Sequence, residues 1–195
     1  MKKLIGLTGQ SGAGKGEVAK VFEKSNAFVI DCDKVAREQS NNKALLEKLC
    51  SAFSDNILNA DNSLNRKALA KIAFCEKEKT EKLNSIMLPH LKQVILDIAD
   101  SCNNQFVVLD APTLIESGLN KECCINICVL ADKQTRLERI MKRDNLSLDE
   151  ATLRINAQHS DKYYIENCNY ALYNNDSLQN LIDKTEQLIN KIGIM

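Results

Sequence analysis

The residues best suited to chemistry lie in the run Gly9-Gln10-Ser11-Gly12-Ala13-Gly14-Lys15-Gly16. Its spacing of glycines and lysine nearly matches a phosphate-binding loop, in which backbone N–H groups and an ammonium surround phosphate oxygens. Glycines allow the backbone to approach an anion closely, and the positive end of the following helix favours negative charge. The run therefore predicts a loop that binds the phosphates of a nucleotide, with Lys15 neutralising charge during phosphoryl transfer.

The loop departs from the usual pattern at its last position, where Gly16 stands in place of serine or threonine. A hydroxyl there would bind Mg²⁺ directly, whereas glycine leaves the ion to water and phosphate oxygens. The next residue, Glu17, has three interpretations: it stabilises the first helical turn, it holds a water of the Mg²⁺ shell, or it repels phosphate. We prefer the first.

Three aspartates follow predicted strands. Asp31 and Asp33 end the second strand, and Asp110 ends the third. A carboxylate at the carboxyl end of a parallel strand faces the crevice where ligands bind in such sheets. Phosphoryl transfer to an alcohol benefits from an aspartate that accepts the hydroxyl proton, which makes Asp33 the candidate base with Asp31 in support. The alternative is that either residue caps the next helix. Asp110, after an apolar run, is typical of a residue that positions Mg²⁺ or its bound water.

Three arginines, Arg136, Arg139 and Arg143, share one face of a predicted helix. At 100° per residue they fall within about 60° of one another. Like charges placed so closely repel unless an anion lies between them, and guanidinium forks suit phosphate oxygens. The face predicts phosphate binding. The alternative is a solvated basic face, with Glu138 and Asp144 nearby.

Short apolar runs alternate with longer helical patterns along the chain. These elements must position the residues named above. This alternation predicts an α/β fold with a parallel sheet covered on both faces. The predicted strands are Lys3–Thr8, Phe28–Asp31, Phe106–Asp110, Ile125–Leu130 and Tyr170–Tyr173.

Between the second and third strands lies a mostly helical insert of about residues 33–103, which we expect to form a substrate-covering subdomain. Within it, a helix from about Glu76 to Ser101 should kink or break at Pro89. A capping box at Ser147–Glu150 predicts a helix that runs to about His159. The last helix should bury its apolar residues Leu178, Leu181, Ile182, Leu188, Ile189 and Ile192.

The composition describes an ordinary globular chain whose length of 195 residues suits one core. Lysine plus arginine (26) balance aspartate plus glutamate (26), so we expect no nucleic-acid partner. No apolar stretch is long enough for a membrane helix, and from the start Met1-Lys2-Lys3 we expect no signal peptide. The eight cysteines lack zinc-ligand spacing, which predicts free, mostly buried thiols in a reducing cytoplasm. The sequence leaves the oligomeric state open.

Taken together, these motifs resemble those of the dephospho-coenzyme A kinases, the last enzymes of coenzyme A synthesis, over nearly the full length of the chain. The Asp-x-Asp pair followed by Ala-Arg, at this distance from the loop, is what separates that family from other small kinases. The segments that carry the resemblance are Gly6–Gly9 with the loop, Val29–Asp33 with Ala36-Arg37, Leu64–Arg66, Leu69, Phe74, Leu83, Pro89, Ala111–Glu116, Arg139, Arg143, Ala157-Gln158, Lys162 and Asn174.

The resemblance implies ATP-dependent phosphorylation of the ribose 3′-hydroxyl of dephospho-coenzyme A, with Mg²⁺ and with these two small molecules as the partners. It implies a three-layer P-loop NTPase fold with a five-stranded parallel sheet and helices on both faces. The whole chain, 1–195, would be a single kinase domain with a helical coenzyme A-binding insert at about 33–103 and a helical lid at about 136–162.

The same resemblance implies a role for each candidate site residue. Asp33, Lys15 and Arg139 would be catalytic, and Thr8, Asp33 and Arg37 would bind the acceptor. Asp110 would hold the metal ion through water, and Asn174 would lie near the adenine. The ATP-binding set would comprise Ser11, Gly12, Ala13, Gly14, Lys15, Gly16, Glu17, Arg139, Arg143 and Asn174.

The chain departs from the pattern of the family at Gly16 and Glu17, where serine and threonine are usual, and at His90, which follows Pro89 instead of preceding it. Thr113 and Asn169 are further departures. Two alternatives therefore stay open. One is a kinase of the same scaffold that phosphorylates another small molecule, and the other is a nucleotide-binding regulator without transfer activity.

Overall fold

The computed structural model describes residues 2–194, and its five strands form one sheet in which all neighbours run parallel. The order across the sheet is β2-β3-β1-β4-β5, so the strand that leads into the loop is central. All five predicted strands are confirmed, and β1 continues one residue further than predicted. The strands are β1 (Lys3–Gly9), β2 (Phe28–Asp31), β3 (Phe106–Asp110), β4 (Ile125–Leu130) and β5 (Tyr170–Tyr173).

The remaining regular structure is helical. In chain order the α-helices of residues 2–194 are α1 (Lys15–Lys24), α2 (Cys32–Gln39), α3 (Lys43–Phe53), α4 (Arg66–Ala73), α5 (Lys77–Ser101), α6 (Lys133–Asp144), α7 (Leu148–Asn156), α8 (Asp161–Asn167) and α9 (Leu178–Lys191). Within this described part of the chain, no helix is long and apolar enough to cross a membrane.

Helices cover both faces of the sheet, and β4 shows how its sequence allows this. Ile127 and Val129 belong to the apolar cluster that contains Phe22 of α1 and Ile189 of α9. The alternate residues Cys128 and Leu130 pack in a different cluster with Tyr164 of α8. A parallel strand that is buried on both faces needs such a continuous apolar run. The predicted α/β architecture is therefore confirmed.

Side-chain caps set where several helices begin. The side chains of Asn42, Asn65, Ser160 and Ser177 each accept a hydrogen bond from a backbone N–H in the first turn of the next helix. At Ser147 the predicted capping box is present, since both reciprocal bonds with Glu150 form. These caps satisfy donors that a helix start otherwise leaves without partners.

The chain divides into two compact units. We call residues up to Asp31 together with those from Ser101 onward the sheet unit, and Cys32–Asp100 the helical unit. The helical unit has an apolar core of its own, built by α3, α4, the start of α5 and the segment between α3 and α4. Its buried residues are Leu45, Leu49, Phe53, Ile57, Leu64, Leu69, Ala73 and Leu83.

Four predictions about helices and cysteines differ in detail from the structure. The helix α5 continues through Pro89, so the helix does not break there; burial of Leu83 and Ile95 on either side of the proline stabilises it. The helix that begins after Ser147 ends at Asn156, since Ser160 caps a separate helix, α8.

The other two errors concern burial. Leu178 is the first residue of α9 and is 51% exposed, because the buried stripe starts one turn later at Leu181. The eight cysteines are thiols, but they are not mostly buried: within residues 2–194 only Cys32 and Cys128 are, while Cys75 and Cys124 are exposed. Cys75 lies in the short connection between two helices and Cys124 just ahead of β4, where a small side chain meets solvent.

Candidate active site

The candidate nucleotide site is the connection between β1 and α1 in the sheet unit. Gly12 and Gly14 adopt φ angles of 81° and 102°, in the left-handed region that favours glycine. A Cβ atom at Gly12 would lie 2.9 Å from the carbonyl oxygen of Arg136, and one at Gly14 would lie 2.4 Å from Nδ2 of Asn174. Both positions therefore require glycine for two reasons, backbone conformation and space.

The first turn of α1 opens towards this loop. Gly14 is the N-cap and provides no side-chain hydrogen bond, so the first N–H groups of the helix remain suited to an anion. Glu17 lies in this turn, and its carboxylate pairs with Lys20 at 2.8 Å on an exposed surface. The role of Glu17 stays a prediction. A Cβ atom at Gly16 would meet no atom within 4 Å.

Lys15 and Asp110 form an ion pair, and both side chains are largely buried. The sheet register explains the contact, since Asp110 lies beside Leu7 of β1 on one side and beside Asp31 of β2 on the other. The structure thus brings together the loop lysine and two of the three predicted aspartates at the carboxyl edge of the sheet. The carboxylate of Asp110 is thus an ionic partner of the Lys15 ammonium.

Thr8 lies at the end of β1 and is fully buried. Its hydroxyl donates a hydrogen bond to the carbonyl oxygen of Pro112 at 3.2 Å. This contact ties β1 to the segment after β3. The expected contact of Thr8 with an acceptor stays a prediction.

Arg139 and Asn174 contact the backbone of the loop. Asn174 is 5% exposed, and its Nδ2 donates to the carbonyl oxygen of Ala13 at 2.7 Å. The guanidinium of Arg139 donates to the carbonyl oxygen of Asn174 at 3.0 Å and to that of Gly12 at 3.4 Å. Both residues were predicted to bind ATP, and the structure places both beside the loop.

The three arginines that share a helical face have separate surroundings, and only Arg139 donates to the loop. Arg136 is 4% exposed, and burial lowers the pKa of its guanidinium while the nearby charge of Asp161 opposes that shift. Arg143 makes two hydrogen bonds of 2.8 Å to Asp144. This contact raises the pKa of Arg143 and lowers that of Asp144. The predicted role of Arg143 in ATP binding stays a prediction.

A further set of contacts to the loop was not predicted from the sequence. The side-chain oxygen of Gln158 accepts the N–H of Ser11 at 3.1 Å. Nε2 of Gln10 donates to Oδ1 of Asp161 at 2.7 Å, and Gln10 is 4% exposed. The one available signal was the position of Gln10, a polar residue directly after the central strand. Hydrogen bonds to residues 158–161 thus hold the first half of the loop in place.

The candidate acceptor site lies in the helical unit, around a cavity of about 330 Å³. Asp33 in the first turn of α2 lines it, as do Arg37 and Arg66. Arg66 donates to the carbonyl oxygen of Arg37 and to the hydroxyl of Ser40, both at 2.8 Å. The rest of the lining is mainly apolar and comprises Ala36, Leu64, Leu69, Ala70, Phe74, Leu83 and Met87.

This combination of a carboxylate, two guanidinium groups and an apolar wall suits a ligand that carries both anionic and hydrocarbon parts. Arg66 was named for the sequence resemblance but was not predicted to line a site. Asp33 and Arg37 occupy the same cavity lining, as one turn of helix separates them.

Comparison with known proteins shows the family to which the chain belongs. The family model described as dephospho-CoA kinase matches residues 3–180. The chain belongs to the dephospho-CoA kinase family. A dephospho-CoA kinase of Fusobacterium nucleatum is 33% identical over 97% of this chain and 98% of its own length.

Solved structures agree with this assignment. The crystal structure of TT1252 from Thermus thermophilus has a TM-score of 0.83 and 26% identity, and the match covers 98% of both chains. A dephospho-CoA kinase from Campylobacter jejuni has a TM-score of 0.71 and 28% identity, again over 98% of both chains. The predicted family and the three-layer P-loop fold are confirmed, and the chain is a kinase of this family.

Proposed function

We propose that the chain transfers the γ-phosphoryl group of ATP to the ribose 3′-hydroxyl of dephospho-coenzyme A, which gives coenzyme A and ADP. The observation that carries the proposal is the match to the dephospho-CoA kinase family over residues 3–180. The loop, the ion pair of Lys15 and the cavity lined by Asp33 are the parts that such a reaction needs.

In the sheet unit, the backbone N–H groups at the start of α1 would bind the phosphates of ATP. Lys15 would exchange part of its contact with Asp110 for contacts with the β- and γ-phosphates, where it neutralises the charge that moves to the leaving oxygen. Arg139 would add positive charge next to the loop. The predicted contacts of Arg143 and Asn174 with ATP belong to the same proposal.

The residues at the sheet edge fit a Mg²⁺ ion bound through water. Asp110 and Asp31 lie side by side in the register of β3 and β2, and carboxylate oxygens are the ligands that Mg²⁺ prefers. Gly16 offers no hydroxyl, so Asp110 would hold the ion through its hydration shell. When bound, Mg²⁺ would neutralise charge on the phosphate oxygens.

In the helical unit, Asp33 would accept the proton of the 3′-hydroxyl as its oxygen bonds to the γ-phosphorus. Arg37 and Arg66 would bind the anionic groups of dephospho-coenzyme A, and the apolar wall of the cavity would pack against its hydrocarbon arm. Thr8 is proposed to support the acceptor through the segment around Pro112. The cytoplasmic location and the absence of a nucleic-acid partner stay predictions.

A panel of acceptors tests the substrate. The full chain is incubated with Mg²⁺, labelled ATP and one acceptor at a time: dephospho-coenzyme A, AMP, a free nucleoside or a sugar alcohol. We expect labelled product with dephospho-coenzyme A at a rate at least about a hundredfold above the others, because the buried polar groups of a matched site reject analogues that leave them unpaired. Faster transfer to another acceptor would favour a different small-molecule kinase. ATP binding without any transfer would favour the regulator.

A further inference from the structure

The side chain of Asn174 contacts the backbone of the phosphate loop. Its amide nitrogen donates to the carbonyl oxygen of Ala13, and the donor and the acceptor are both buried. The same nitrogen lies 2.4 Å from the position that a Cβ atom of Gly14 would occupy. The Asn174 amide thus lies against the Ala13–Gly14 peptide.

The bond to the Ala13 carbonyl also sets the direction of the neighbouring donor, the N–H of Gly14. A trans peptide is planar, and its C=O and N–H groups point in opposite directions. Because the carbonyl of Ala13 points at Asn174, the N–H of Gly14 points to the opposite face of the loop. Gly14 is the N-cap of α1, so this N–H joins the donors that open at the start of the helix.

Arg139 fixes the position of Asn174 in turn. Its guanidinium donates to the backbone oxygen of Asn174 at 3.0 Å and to the side-chain oxygen of Asn174 at 3.4 Å. The bond to the side-chain oxygen sets the orientation of the amide, with the nitrogen towards Ala13. Arg139 also donates to the carbonyl oxygen of Gly12, at 3.4 Å. One guanidinium and one amide thus bind two consecutive carbonyl groups of the loop, those of Gly12 and Ala13.

We propose that Asn174 is a positioning residue for phosphate binding: oriented by Arg139, it turns the Ala13–Gly14 peptide so that the Gly14 N–H faces the polyphosphate of ATP. The inference rests on the proposed function only for the identity of the nucleotide. It differs from the expected contact of Asn174 with adenine, because it concerns the phosphates and acts through the loop.

The test compares a ligand with adenine and a ligand without it. Isothermal titration calorimetry on the full chain measures the Kd of Mg²⁺–ATP and of magnesium tripolyphosphate for the unaltered chain and for Asn174→Ala. Asn174→Leu, which also lacks the donor but preserves the volume, provides a second variant if the alanine variant does not fold. The matched control is Asn175→Ala, an exposed neighbour whose side chain accepts the N–H of Asp132 at 2.8 Å.

We expect Asn174→Ala to weaken both ligands by the same factor of about ten, which corresponds to the loss of one buried hydrogen bond. The KM for dephospho-coenzyme A should stay unchanged, and Asn175→Ala should bind both ligands as the unaltered chain does. A weaker Kd for ATP with an unchanged Kd for tripolyphosphate would overturn the proposal in favour of an adenine contact. Unchanged values for both would also overturn it. Because the readout is binding, a chain that binds both ligands but forms no coenzyme A would refute the proposed function and leave this inference intact.

Discussion

The two units of the molecule build their candidate sites in different ways. In the sheet unit, the phosphate loop is held mainly through its backbone: Asn174 and Arg139 bind its carbonyl groups, and Gln158 binds the N–H of Ser11. In the helical unit, the cavity presents the ionic side chains of Asp33 and Arg37 themselves. The first site depends on the path of the chain, and the second depends on the identity of its side chains.

This difference bears on one departure from the pattern of the family, the glycine at position 16. Gly16 lacks a hydroxyl, yet the loop is held by contacts to other residues, and the space beside Gly16 is open. Asp33 and Arg37, which match the pattern that carries the resemblance, line the cavity where we propose that side chains act directly on the acceptor. A site held by backbone contacts can lose one side chain and keep its shape.

The largest effect should come from Asp33→Asn. An amide cannot accept the proton of the acceptor hydroxyl, so we expect kcat to fall by about 10²- to 10⁴-fold while the Kd for ATP stays unchanged. Steady-state kinetics and calorimetry measure the two quantities. Asp55→Asn, an exposed aspartate of the same unit, is the control. A variant that retains most of its rate would show that Asp33 is not the base.

A smaller effect is expected from Arg66→Ala, which removes a guanidinium from the cavity and the hydrogen bond to the carbonyl of Arg37. The KM for dephospho-coenzyme A should rise about tenfold, with kcat and the Kd for ATP little changed. Lys67→Ala, at the exposed adjacent position, should leave all three values unaltered. An increase in the Kd for ATP of similar size would contradict the division of roles between the units.

The smallest effect should come from Gly16→Ser. A hydroxyl at this position can bind Mg²⁺ directly, so the Mg²⁺ concentration for half-maximal rate should fall a few-fold, by about two- to fivefold. The open space around the position predicts no loss of stability in urea unfolding. A magnesium titration decides the matter, since an unchanged requirement would mean that coordination through water is sufficient.

The strands and the family were predictable from sequence because their signals are local. Buried parallel strands read as continuous apolar runs, and a glycine-rich turn between a strand and a helix limits what the loop can do. The pairing of Lys15 with Asp110 follows from the same logic once β1 and β3 are neighbours.

The features that were not predicted share a cause, because they depend on contacts between distant segments. Gln10 and Asp161 are 151 positions apart and meet only in the fold. Helical periodicity placed Arg136 beside Arg139 but could not show that Arg136 is buried near Asp161. Local propensity predicted a kink or a break at Pro89, and the packing of the long helix prevents the break.

The formation of coenzyme A tests the central claim most directly. The purified chain is mixed with ATP and dephospho-coenzyme A across a range of Mg²⁺ concentrations, and the products are followed by mass spectrometry. The account predicts a product heavier than the acceptor by one phosphoryl group, formed together with one equivalent of ADP and dependent on Mg²⁺. Binding of both substrates without that product at any Mg²⁺ concentration would contradict the account.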